Sequence, residues 1–340
     1  MSAASSEPGQ HRRAVVYDAR AGGLGMKIKT VPMPRVGDNQ MLVSVKAASL
    51  NPVDYKLPKL PLVGLTADGK VVGIDFSGVV ERVGPSVDNF KAGDRVYGFA
   101  QPMTEHGALS PFIMCDPGRC SKIPQAADFA QAASIPTASV TSLQALRDAA
   151  CVKEGDKVLI LGGSGGCGIA GVQIAASLGA EVTAVCSGAN ADLVRSMGAK
   201  RVIDYKVQTV SEALSGEGKT FDAVYDTVTS PEDKDYYSEC SFLVKQGGTY
   251  VGINAHASDW LRYFGSRVSG IPLQKRGFKL IITNHLTAPQ DLSTLSEMIE
   301  DGSLRAVLDT TFEFTGEGVC GAFERLKSRR TVGKIVVAMP

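Results

Sequence analysis

The feature that most restricts this chain is an alternation of short apolar runs with helical ones. Lys157-Val-Leu-Ile-Leu161, Glu181-Val-Thr-Ala-Val-Cys186, Arg201-Val-Ile-Asp204, Phe221-Asp-Ala-Val-Tyr225 and Gly248-Thr-Tyr-Val-Gly252 read as strands. Gly168 to Leu178 and Ala191 to Met197 read as helices between them. Strand and helix alternating at this period make βαβ units, whose strands lie parallel and are covered on both faces. A doubly wound α/β sheet over residues 137–283 is the expected result. The chain before Pro136 has a different pattern: Ala14-Val-Val-Tyr17, Met41-Leu-Val-Ser-Val-Lys46, Gly78-Val-Val-Glu-Arg-Val83 and Arg95-Val-Tyr-Gly-Phe99 are separated by turn signals such as Lys91-Ala-Gly-Asp94. That is an all-β pattern, expected to form a partly open barrel. A last helix, Gln290 to Asp301, and a last strand, Gly333 to Ala338, are free to return to it, giving one domain of 1–136 with 284–340 and a second of 137–283. At ~150 residues per domain, 340 residues agree with two.

Lys and Arg number 36 against 35 Asp and Glu, a formal charge of +1, so no general field attracts nucleic acid or membrane. No stretch approaches the ~18 consecutive apolar residues of a membrane span. Met1 to Arg13 is Ser- and Ala-rich and reads as a frayed tail, with a transit-peptide remnant left open. The seven cysteines are odd in number and scattered, which suits free thiols in a reducing compartment, and the cytoplasm is expected.

The strongest chemical signal is Gly162-Gly-Ser-Gly-Gly-Cys-Gly168, set between an apolar strand and a helix. Phosphate needs close backbone approach and converging N–H groups, and glycines at a helix N-terminus provide both. Gly162, Ser164, Gly165, Gly166, Cys167 and Gly168 are therefore the candidate dinucleotide loop. In an NAD site a carboxylate closes the next strand and holds the ribose hydroxyls. Here Ser187 stands at that position, so NADPH is the expected cofactor, with Lys200 and Arg201 as nearby cations; Ser187 as a plain helix cap is the competing reading. Gly252, Ile253 and Asn254 end a later strand, where cofactor contacts gather.

A zinc site needs clustered Cys and His at fixed spacing. Cys115 and Cys120 are five apart with no second pair, and His11, His106, His256 and His285 form no motif. No metal is expected, and no Ser/His/Asp hydrolase either.

Taken in order, Asn51-Pro-Val-Asp-Tyr-Lys56, Gly73-Ile-Asp-Phe-Ser-Gly78, Gly93-Asp-Arg-Val-Tyr-Gly98, the glycine loop, Val202-Ile-Asp-Tyr-Lys206 and Arg330-Thr-Val-Gly-Lys334 resemble the medium-chain dehydrogenase/reductase superfamily. More narrowly they resemble its zinc-free, zeta-crystallin-like quinone oxidoreductase branch. The resemblance implies a Rossmann sheet joined to a GroES-like β-barrel catalytic domain. Zinc-dependent relatives carry Cys at Asn51 and Gly-His-Glu at Gly73-Ile-Asp75, so the ligands are missing here. The resemblance also implies that Asn51, Asp54 and Lys56 border the substrate cleft. It implies that Ser187, Tyr205 and Arg330 bind a 2′-phosphate, with Lys334 among the cofactor-binding residues. Ala189 and Asn190 stand where a basic residue is usual. Phe278 to Ile282 resembles the family strand that pairs with a second subunit, which implies a homodimer.

The expected reaction is hydride transfer from NADPH to a quinone or an α,β-unsaturated carbonyl. Lys56, with Asn51 and Tyr55 as further donors, would stabilise the charge developing on the substrate oxygen. Two alternatives stay open: a trans-2-enoyl thioester reductase, and a non-catalytic NADPH-binding or partner-binding protein.

Overall fold

A computed structural model describes residues 11–18, 25–59, 64, 66–229, 235–253, 257–269, 277–284 and 287–340. Within these, β1 (His11–Tyr17) and β2 (Met26–Pro32) form an antiparallel pair. Five strands of a seven-stranded sheet come next, β3 (Met41–Ser49), β4 (Asp75–Val83), β5 (Arg95–Phe99), β6 (Phe112–Cys115) and β7 (Cys120–Lys122). The parallel sheet follows, with β8 (Lys157–Leu161), β9 (Glu181–Cys186), β10 (Arg201–Asp204), β11 (Phe221–Asp226), β12 (Val244–Gly252) and β13 (Phe278–Leu280). The chain then returns to the first sheet through β14 (Leu308–Glu313) and β15 (Lys334–Ala338), with β15 antiparallel to β3.

The second sheet has the order β10-β9-β8-β11-β12-β13, all pairs parallel. This is the doubly wound α/β order, which reverses between β8 and β11 and leaves a crevice at the carboxyl ends of those strands. β8 shows why its sequence is uniformly apolar. Val158 and Ile160 enter the core on one face, Leu159 and Leu161 the core on the other, and all four are completely buried. Successive strand residues point to opposite faces, so only a strand covered twice keeps both sets apolar.

The two sheets share a core. Tyr97 and Phe99 of β5 pack in one cluster with Val140, Leu143 and Leu146, and Tyr97 Oη donates to the Leu292 carbonyl at 2.9 Å. The helix that joins the two sheets is α-helical from Pro136 to Leu143 and then widens into a π-helix, Gln144–Ala149. The wider turn carries the buried Gln144 amide, which bonds both Asn284 backbone groups and the Asp291 carboxylate.

The residue just before β15 ties it to the glycine loop that follows β8. Gly333 pairs with Gly165 of the glycine loop, its N–H bonding the Ser164 carbonyl at 2.9 Å. Its φ of +75° and a position where a Cβ would stand 2.1 Å from the Val307 oxygen both require glycine. Gly333→Ala is expected to cost about 1–3 kcal/mol, read as a lower urea midpoint; an unchanged midpoint would show that this junction yields.

Candidate functional site

The helix Gly166–Ser177 starts at the carboxyl end of β8 with Gly165 as its N-cap, and no side chain caps it. The first N–H groups of a helix have no partner inside it, so this end suits an anion. The glycines differ in what they serve. A Cβ on Gly168 would stand 2.0 Å from the Gly162 oxygen, and one on Gly163 2.9 Å from Ala184, so these two allow the loop to pack. At Gly165 the nearest atom would be at 3.5 Å, an ordinary contact, with φ −80°. Nothing among the described residues demands glycine there, whereas a diphosphate lying on the backbone would. The loop therefore fits a dinucleotide. Ser164 Oγ accepts from Asn190 Nδ2 at 3.1 Å, which fixes the turn after β9 against the glycine loop.

Across from it lies a buried polar cluster. Asn51, Asp54, Asp75 and Lys334 are all at most 8% exposed. The Lys334 ammonium donates to the Leu50 carbonyl at 2.8 Å and to Asn51 Oδ1 at 2.5 Å, and lies 3.7 Å from Asp75. Asn51 Nδ2 donates to Asp75 at 2.9 Å, and Thr137 donates to the same carboxylate through its N–H and its hydroxyl. Asp54 accepts the Asn51 N–H at 2.7 Å as part of a capping box on the helix Pro52–Lys56; its Oδ1 has no partner among the described residues. The Lys334 stem crosses the glycine loop, because a Cβ on Gly166 would meet its Cδ at 2.7 Å. Cluster and loop thus adjoin at one residue.

The Lys334 ammonium already sits between the Asn51 oxygen and Asp75, and a dication there would face it directly. Among the described residues no three or more His, Cys, Asp or Glu come together as a metal site.

Lys56, the last residue of that short helix, is half-buried. The Tyr55 ring packs on the barrel core with the ammonium groups of Lys59 and Lys327 5.8 and 5.5 Å from its centre. Cys167 is half-buried, and its thiol is pushed up to about 11, chiefly by burial. Ser187 follows β9, and Tyr205, half-exposed, follows β10 beside it. Arg330 lies in the exposed turn before Gly333; its neighbour Arg329, which the sequence did not single out, reaches the Val228 carbonyl at the end of β11. Asn254 lies outside the described residues. Asp226 is buried and fully engaged by the Val228 and Thr229 N–H groups and the Tyr250 hydroxyl, so it closes a turn.

Lys200 and Arg201 are placed otherwise than expected. Arg201 opens β10 opposite Thr183, whereas Asp204 lies opposite Cys186, next to Ser187. Three residues at ~3.3 Å each separate them, and the Arg201 guanidinium is bound to Glu217 and the Ala213 carbonyl. The charged group nearest the turn after β9 is instead Asp204, whose carboxylate would be 2.3 Å from a Cβ on Gly188.

Burial pushes the Asp54 carboxyl up to about 7; the Asn51 N–H and Lys334 oppose this and Asp75 adds to it. Asp75 is raised too, again by burial first. An acid that holds its proton more tightly folded than unfolded takes up protons on folding. Its contribution is full below about pH 4 and is lost as pH rises through about 7. Between about pH 5 and pH 8 the wild type should lose about 2–3 kcal/mol relative to Asp54→Asn, measured as urea midpoints of both proteins at both pH values. Parallel midpoints would mean that Asp54 is ionised throughout.

Residues 37–144 match the family described as alcohol dehydrogenase GroES-like domain, and residues 197–337 that described as zinc-binding dehydrogenase. The trans-enoyl reductase pgmF of Aspergillus terreus is 34% identical over 323 residues, covering 90% of this chain and 89% of that protein. The chloroplast envelope quinone oxidoreductase homolog of Arabidopsis thaliana is 30% identical over 318 residues, 89% of this chain and 91% of that one. The solved structure of the quinone oxidoreductase from Coxiella burnetii superposes with a TM-score of 0.82 at 27% identity, over 97% of this chain and 100% of the other. With its doubly wound sheet, its GroES-like sheet and relatives spanning nearly its whole length, the chain belongs to the medium-chain dehydrogenase/reductase superfamily, among its quinone oxidoreductases and enoyl reductases, and is a nicotinamide-dependent oxidoreductase.

Proposed function

We propose that the protein is an NADPH-dependent, zinc-independent reductase of quinones or α,β-unsaturated carbonyls. The observation that carries this is the junction at Gly333 and Lys334, where the dinucleotide loop meets the buried Asn51, Asp75 and Lys334 cluster in place of a metal. In the same proposal residues 137–283 hold the cofactor and residues 1–136 with 284–340 shape the substrate side. Ser187, Tyr205 and Arg330 would face the 2′-phosphate. Asp204 beside Gly188 favours a ribose hydroxyl there, so the preference over NADH is modest. Free cysteines support a reducing cytoplasm, and the edge strand β13 supports a homodimer through strand pairing.

The nicotinamide supplies the hydride when bound. The protein's part is to orient it and to meet the charge that appears on the substrate oxygen. Asn51 spends one amide N–H on Asp75 and keeps one for substrate. Lys56 supplies the positive charge. Asp54, raised towards neutrality, holds a proton at its unpartnered Oδ1.

Similarity to a trans-enoyl reductase favours a second reading, in which the acceptor is a trans-2-enoyl thioester. Hydride then goes to the same electron-poor carbon, and only the acyl carrier differs.

NADPH oxidation by the purified protein, with a phenanthrenequinone, a benzoquinone, a short 2-alkenal and a 2-enoyl thioester as acceptors, separates these readings. Turnover of quinone or alkenal that survives chelator and exceeds that with NADH is the expected result. Faster thioester turnover would give the second reading precedence, and NADPH binding without any turnover would indicate a binding protein. Lys56→Ala should lower kcat at least ~10-fold, as loss of an oxyanion donor does, while the Kd for NADPH by fluorescence stays within about twofold. An equal kcat would remove Lys56 from the mechanism.

A further inference from the structure

We propose that Cys115 and Cys120 are a modification site, a buried dithiol that a peroxide closes to an intramolecular disulfide. Cys115 ends β6 and Cys120 begins β7, and the turn between them is held by the Asp116 carboxylate accepting the Gly118 N–H at 2.8 Å. The two sulfur atoms are 2.9 Å apart. A disulfide bond is ~2.05 Å, so less than an ångström of side-chain movement separates contact from bond. Neighbouring strands fix the approach. Cys115 lies opposite Met41 of β3 and Cys120 opposite Gly98 of β5. At Gly98 a Cβ would stand 2.1 Å from the Arg119 oxygen, so a glycine there lets the turn lie flat against β5.

The two thiols are not equivalent. A cavity of about 130 Å³ borders Cys115 but not Cys120, with His106, Gln101, Met114 and Arg119 also on its wall. Water takes ~30 Å³ in the liquid, so a peroxide fits. His106 Nδ1 is buried with no hydrogen-bond partner among the described residues, and burial, then the Arg12 charge, keep its imidazole neutral. A neutral imidazole on the same cavity can take the Cys115 proton. Burial and the bond to Cys115 hold the Cys120 thiol well above its ordinary range, so it stays protonated until a partner forms.

In the proposed step Cys115, the residue that borders the cavity, gives its proton to His106 and its sulfur attacks one peroxide oxygen: an S–O bond forms, the O–O bond breaks, and the departing hydroxide takes the proton from His106 as water. The Cys120 sulfur then attacks the Cys115 sulfur. An S–S bond forms, the S–O bond breaks, and the hydroxide leaves as water with the Cys120 proton. Two thiols are oxidised by two electrons and one peroxide is reduced to two waters. Two equivalents of a thiol reductant reverse the step. Because the resolving thiol is already in contact, Cys115 is diverted from irreversible sulfinic acid.

The test uses the full chain, reduced with dithiothreitol, desalted, treated with one equivalent of hydrogen peroxide, blocked with N-ethylmaleimide and digested with trypsin. Trypsin cuts after Arg119 and separates the two cysteines into Val96–Arg119 and Cys120–Lys122. The expected product is these two peptides joined, two hydrogen masses below their sum and released by dithiothreitol. In Cys120→Ser the joined species should be lost and Cys115 should instead give a dimedone adduct. Recovery of both peptides separately, each with its thiol blocked, at a peroxide dose that oxidises the exposed Cys151 would overturn the proposal. Sulfinic acid at Cys115 of the wild type without the joined species would overturn it equally.

Discussion

A buried ammonium must be answered by charge and hydrogen bonds, and the way Lys334 is answered organises this protein. Its nitrogen meets the Leu50 carbonyl, the Asn51 amide oxygen and the Asp75 carboxylate, groups from the end of β3 and the start of β4. Its own backbone opens β15, one residue after the pairing of Gly333 with the glycine loop. One side chain therefore fixes four segments that are remote in sequence. Such a cluster adds little net stability, because desolvation offsets attraction, but losing a single partner costs about 3–5 kcal/mol. Its effect is positional: the strand that returns from the end of the chain holds the dinucleotide loop at a set distance from the helix Pro52–Lys56.

The charges of the cluster do not balance. Two carboxylates and one ammonium in a closed space leave one negative charge in excess, and a proton removes it at the lowest cost. Which carboxylate takes it follows from their partners. Asp75 accepts from Thr137 twice and from Asn51, and lies beside Lys334, all of which favour its ionised form. Asp54 accepts one N–H and leaves one oxygen unpartnered among the described residues, so the proton belongs there. Burial is what raises both groups, and it raises Asp54 with fewer hydrogen bonds to oppose it.

The parallel sheet was legible because β8 carries its signal locally, with both faces apolar and glycines directly after it. Arg201 was misread because nearness in sequence does not say which end of a strand a residue occupies, and β10 is long enough to carry it away from Ser187. Lys334 was legible only as part of a motif. Its burial depends on β15 crossing from one sheet to the other, a pairing with no local signature. Cys115 and Cys120 were passed over as ordinary thiols since metal spacing demands further ligands, and their contact arises from the turn between β6 and β7. Asp54 was legible only through the motif that places it by the cleft, and not as an acid held near neutrality, since that follows from the depth to which the capping box is buried.

The Lys334 ammonium within the cluster bears on the acceptors in the proposed reaction. A zinc ion binds a substrate oxygen directly and stabilises a localised alkoxide. Lys334 offers one charge, and that charge is already shared among protein oxygens, so little of it reaches a substrate. A simple ketone, whose product is a localised alkoxide, would gain too little from this site. A quinone or an enone needs less help, because the arriving electron pair spreads over the conjugated system before any proton is added. In the proposed reaction hydrogen bonds from Asn51 and Lys56 would meet that charge, and Asp54 would hold the proton without a metal-bound water. The proposed zinc-independence and the proposed choice of conjugated acceptors are in this sense one constraint seen from two sides.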